Sequence, residues 1–228
     1  MENIKAMEMR DMLGLQDEER CLYIPDGFVV DIVKFMRAKK YLLKKKTSIQ
    51  RIECGYSFSS NNYYNLIRVP LVLYDDSTKE RNVLGEIFEM MNNDYRFNIV
   101  EYAKENNINV KIAVAIFCIL HELGHNRYNA YFEGKGRGEN YIMSKYSKEY
   151  GRVYDMATTH IKQADYEYRM IPSEMYADKM AIKIMKKHRI ALRNIIKKNV
   201  DDFKYIDMTD EYNKKRYCDN FYRYFVRY

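Results

Sequence analysis

The sequence predicts an α+β fold, mostly α, in a single domain over residues 1–228, and three observations carry that expectation. Residues 112–120 (IAVAIFCIL) are apolar on nearly every helical face, the mark of a helix buried in the centre of a domain. Apolar residues recur at helical spacing through 27–46, 82–104, 172–187 and 189–199. The strongly β-forming run is short, Arg68 to Tyr74 (RVPLVLY), so the sheet should be small.

Taken in chain order, Met1 to Leu13 alternates charge with Met and Ile and lacks the apolar stretch of a secretory signal. Residues 27–46 are predicted as a helix, and 1–60 as an N-terminal helical appendage. Residues 51–74 read as strand, with Pro70 pointing to an edge position because proline cannot donate to a ladder. A turn follows at Asp75, Asp76 and Ser77, then a helix over 82–104 broken near Asn92 to Asp94. The clearest helix runs from Val110 to Asn126 and leads into an exposed loop at Gly134 to Gly138. Residues 141–169 read as one or two Tyr-rich helices, and 126–170 together as an inserted lid or substrate-binding segment. Pro172 opens a helix to Lys187, since proline is favourable in a first turn. Further helices are predicted at 189–199 and 209–226.

Composition narrows the class without naming it. The net charge is +7, from 39 basic and 32 acidic residues. Such an excess suits an acidic or nucleic-acid partner, but the basic residues sit beside apolar ones at helical spacing, so solvated helix faces are favoured over a nucleic-acid site. Cys21, Cys54, Cys118 and Cys218 form no CxxC pair and imply no disulfide framework. No uninterrupted apolar window is long enough to span a bilayer, so no membrane association is expected and the cytoplasm is the default location.

The chemistry concentrates at His121-Glu122-Leu123-Gly124-His125, an HExxH pattern. Residues i and i+4 share a helix face, so both imidazoles can reach one ion. Glu122 stands about 100° around the helix, beside that ion and within reach of a water on it. Multiplying residue frequencies gives roughly 0.006 chance matches in a chain of this composition. Gly124 has no side chain and lets another element approach the helix closely. A catalytic zinc takes three protein ligands and keeps one position open. Tyr128 and Tyr131 stand where a metzincin would have Gly and His, which excludes that class. The leading candidate for the third ligand is Glu174, in Pro172-Ser173-Glu174-Met175-Tyr176-Ala177-Asp178. His160 comes next, with Glu133, Glu139, Glu149 and Glu167 behind it. Glu174 and Asp178 lie four apart on one face, so one can bind metal while the other fixes the tautomer of a ligand histidine. Small Ala177 and Ala181 favour tight packing of this helix on the HExxH helix.

HExxH followed by a helical ExxxD resembles the gluzincin metallopeptidases. More narrowly, HELGH followed by E-x-x-A-D-x-M-A resembles the ImmA/IrrE family, over residues 121–125 and 174–181. The resemblance implies a zincin-like core with a small sheet packed on the active-site helix and one Zn²⁺ per chain. It implies an intracellular peptidase whose substrate is a protein or peptide, often a regulator. His121, His125 and Glu174 would be its ligands, Glu122 the general base and Asp178 the outer support. Two features depart from the family: 48 residues separate His125 from Glu174, and Met180 replaces the usual Phe. The oxyanion donor is not identified by the sequence; His160 and Tyr166 are candidates. The competing expectation is a non-catalytic, zinc-stabilised regulator or binding protein, which would have no use for Glu122.

Overall fold

The architecture is organised around one long helix with a second laid across it. It is taken from a computed structural model. The structure describes residues 21–42, 46–52, 58–61, 65–74, 91–136, 144, 147–148, 150–153, 155–156, 167–206 and 222–227. In order, the elements are β1 (Cys21–Tyr23), α1 (Asp26–Ala38), β2 (Lys46–Ile52), β3 (Ser59–Asn61), β4 (Leu66–Pro70) and β5 (Val72–Tyr74). Then come α2 (Ile99–Asn106), α3 (Val110–Glu133), α4 (Pro172–Lys187), α5 (Arg189–Lys198), a 3-10 turn, β6 (Lys204–Tyr205) and β7 (Tyr222–Arg227). Helix dominates and the sheets are small, as the sequence leads one to expect.

α3 is the centre of the molecule. Ala113, Val114, Ala115, Ile116, Ile119, Leu120 and Leu123 are fully buried in the main core. Asn109 caps the helix by accepting a hydrogen bond from the Lys111 amide at 2.7 Å, and Asn98 caps α2 in the same way. The break before α2 falls at residues 96–98, just beyond the expected Asn92 to Asp94, where Arg96 takes a positive φ of 49°. α4 begins at Pro172 and ends at Lys187 as the proline and the apolar spacing predict.

Two sheets flank the helices. One has the order β5-β1-β6 and the other β3-β4-β2-β7. β2 pairs in parallel with β4, Ile49 against Ile67, and antiparallel with β7. Arg51, fully buried, ties these parts together: its guanidinium donates to the carbonyls of Ile24, Val69 and Pro70 and pairs with Asp26.

Several sequence expectations are corrected here. Residues 21–52 are no helical appendage: β1 and β2 belong to the two sheets, and α1 buries Phe28, Val29, Ile32 and Val33 in the main core. Apart from β4 at 66–70, their pairing partners lie far along the chain, at 72–74, 204–205 and 222–227, so local spacing gives no sign of them. The first helix stops at Ala38 rather than at 46, because the chain turns through Lys40 at a φ of 58°. Pro70 does not mark an edge strand. It is the last residue of interior strand β4, and after Leu71 the chain passes into the other sheet as β5. Residues 222–227 are strand rather than the end of a helix, in keeping with a Tyr-, Phe- and Val-rich segment. α3 continues to Glu133, so the segment expected as an insertion at 126–170 starts as an unbroken helix. Among the described residues no single helix is long and apolar enough to cross a membrane.

Candidate metal centre

α3 and α4 pack against each other more extensively than any other two elements. They approach each other closely at Gly124. A Cβ placed there would meet Cα of Ala177 at 2.9 Å and its Cβ at 3.2 Å. The glycine within HELGH thus lets α4 lie directly on α3, and the small residues Ala177 and Ala181, both fully buried, complete the fit. This contact brings Glu174 opposite the two histidines.

The resulting triangle is tight. Nε2 of His125 is 3.0 Å from Nε2 of His121, and Oε2 of Glu174 lies 3.2 Å and 3.3 Å from the two nitrogens. All three side chains are buried, and His121, His125 and Glu174 form a metal-competent group. Tetrahedral ligands about 2.0–2.1 Å from zinc stand roughly 3.3 Å apart, so the spacing fits. The hydrogen bonding fits as well. Nδ1 of His121 lies 2.7 Å from Oδ1 of Asp178, a carboxylate that can only accept, so the ring proton belongs there and Nε2 offers its lone pair. Oε2 of Glu174 is buried with no hydrogen-bond donor of adequate geometry. Donor atoms converging at these distances could hold a metal ion.

The electrostatics describe the same demand. Burial alone lowers the pKa of His121, but the carboxylates of Asp178, hydrogen-bonded at Nδ1, and Glu174, beside Nε2, raise it to about 10. Burial pushes the Glu174 carboxyl up, and His125 and His121 overcome that and hold it well below the ordinary range. The site therefore draws positive charge, whether protons or a metal ion. Glu122 completes the group, buried with Oε1 4.0 Å from Nε2 of His121.

Around this centre lies a layer that the sequence did not reveal. Asp178, fully buried, accepts from Tyr95 Oη at 3.0 Å and from Arg169 Nη1 at 3.4 Å in addition to His121. Burial opposes the charge of Arg169, but Asp178 and Glu174 more than restore it. Tyr150 Oη lies 2.7 Å from Ser173 Oγ and donates to Oε1 of Glu174 at 3.4 Å. Burial, reinforced by Glu174, Tyr150 and Glu122, holds the Tyr168 phenol protonated far above its ordinary range. These residues come from three stretches of chain, and nothing in their spacing distinguishes them among 23 tyrosines.

His121, Glu122, His125, Glu174 and Asp178 thus lie together where α4 crosses α3. Of the alternatives for the third ligand, Glu167 pairs with Arg152 instead. His160, Tyr166, Glu139, Glu149 and the Glu133 side chain lie outside the described residues. No known family, curated protein or solved structure matches the chain.

Proposed function

We propose that the chain is a zinc-dependent metallopeptidase of gluzincin type, similar to the ImmA/IrrE family, that hydrolyses a peptide bond in a protein substrate. The observation that supports this best is the convergence of Glu174 Oε2 on His121 and His125, at 3.2 Å and 3.3 Å, beside Glu122. His121, His125 and Glu174 are the residues to hold the ion. Zinc at that position supplies Lewis acidity toward water and a carbonyl group.

The chain's own groups do the rest. Glu122 takes a proton from the attacking water and passes it to the leaving amine. Asp178 keeps the proton of His121 on Nδ1, so that Nε2 remains a ligand atom. The resemblance carries with it an intracellular setting and a regulatory protein as substrate.

Glu122→Gln tests the reading. The variant should bind zinc like the parent and lose hydrolysis of a susceptible protein by at least about 100-fold, the scale of a lost general base. Hydrolysis at the parental rate would remove Glu122 from the mechanism. A parent that holds zinc but never cleaves protein would leave a structural, non-catalytic role for the site.

A further inference from the structure

Residues 179–200 contain eight Lys and Arg and no Asp or Glu. Without those eight, the chain's 39 basic residues fall to 31, against 32 acidic ones. The second half of α4 and α5 therefore carry a dense run of positive charge uninterrupted by any acidic residue. All eight side chains are exposed. Arg189 pairs with Glu105 at 2.9 Å and Lys198 with Asp31 at 2.8 Å. Lys179, Lys183, Lys186, Lys187, Arg193 and Lys197 have no acidic partner among the described residues.

Two adjoining cavities lie along this face and share Lys186 and Lys187. The smaller, about 550 Å³, is lined by Tyr95 and Ile182 together with Lys179 and Lys183. The larger, about 720 Å³, continues past Phe97 and Arg96 to Arg189, with Glu101 and Glu105 in its lining. Charge is thus combined with recessed apolar surface.

We propose that this face docks an acidic peptide segment interspersed with apolar residues, carried by the protein substrate. Unpaired lysines supply the complementary charge, and the recesses take apolar side chains. A nucleic-acid strand fits less well. Phe97 and Tyr102 are buried, so neither offers a ring for base stacking. Six of the eight cations are Lys, flexible point charges, rather than the Arg forks suited to phosphate. The surface also communicates with the metal centre: Tyr95, which lines the smaller cavity, donates to Asp178. The proposal rests on the peptidase reading only in naming the segment as part of a substrate; binding itself requires no hydrolysis.

The test is fluorescence anisotropy with the full, zinc-loaded chain. The probes are a labelled peptide of Glu, Leu and Ser, the same peptide with Gln for Glu, and a labelled oligothymidylate. The acidic peptide should bind, the Gln peptide should not, and affinity should fall with added salt. Lys183→Glu combined with Lys187→Glu should weaken binding by about tenfold or more, and Lys198→Gln, whose ammonium is already paired with Asp31, by less than about twofold. Tighter binding of oligothymidylate, equal binding of the Gln peptide, no binding of any probe, or an unaffected double variant would each overturn the proposal. A chain that binds the acidic peptide yet cleaves no protein would retain the surface and lose the peptidase reading instead.

Discussion

Gly124→Ala isolates the contact on which the candidate metal centre depends. Carbon atoms in ordinary contact stay about 3.5–4.0 Å apart. The new Cβ would stand 2.9 Å from Cα of Ala177, so α4 must retreat by roughly 0.6–1 Å. Alanine favours the helix over glycine by about 1 kcal/mol, and overpacking costs about 1–3 kcal/mol. The net loss of stability is therefore modest, roughly 0–2 kcal/mol. The retreat carries Glu174 and Asp178 away from the histidines by more than the ~0.2 Å that a metal site tolerates. Zinc affinity should fall by about tenfold or more, on the scale of a disturbed ligand set. Adding Ala177→Gly should not restore it, because the nearest atom is Cα rather than Cβ. Urea denaturation of the metal-free protein and zinc competition with a chromophoric chelator measure the two effects separately. A variant about 1 kcal/mol more stable than the parent, with unchanged zinc affinity, would refute the reasoning, since helix propensity alone would then account for it.

Two further outcomes are expected. Asp178→Asn keeps the side chain's shape but turns an acceptor into an amide against His121, Tyr95 and Arg169; zinc affinity should drop about 10- to 100-fold in the same competition assay, and an unchanged value would leave Asp178 without a supporting role. Burial pushes the Tyr102 phenol up to about 12, with Arg189 opposing. Because the folded value is raised, its share of stability is intact below the unfolded value of about 10 and is lost as pH rises from there through about 12. The urea midpoint of the parent should therefore fall more steeply over that range than that of Tyr102→Phe, and parallel curves would contradict this.

What the sequence reveals and what it hides divide along physical lines. His121, His125 and Glu122 are legible because helical spacing alone fixes their relation. Glu174 and Asp178 are legible as a pair on one helix face, and Gly124 and Ala177 foretell the close crossing that brings the two helices together. Pro172 marks the start of α4 for the same local reason. The strands are different. β1 finds its partners at 72–74 and 204–205, and β2 finds one at 222–227, pairings set by long-range packing that no local period records. Pro70 was misleading because its meaning depends on where the strand ends, and the chain leaves the sheet one residue later. Tyr95, Tyr150, Tyr168 and Arg169 are hidden because only the tertiary fold selects them from a Tyr-rich background.

The central claim is that His121, His125 and Glu174 together hold a zinc ion, and the metal content of purified protein tests it most directly. Elemental analysis of the parent beside Glu174→Ala should give about one zinc per parent chain and far less in the variant, since a catalytic site has three protein ligands. Equal zinc in both would take Glu174 out of the ligand set. A parent that holds no zinc and takes none up when it is supplied would contradict the account.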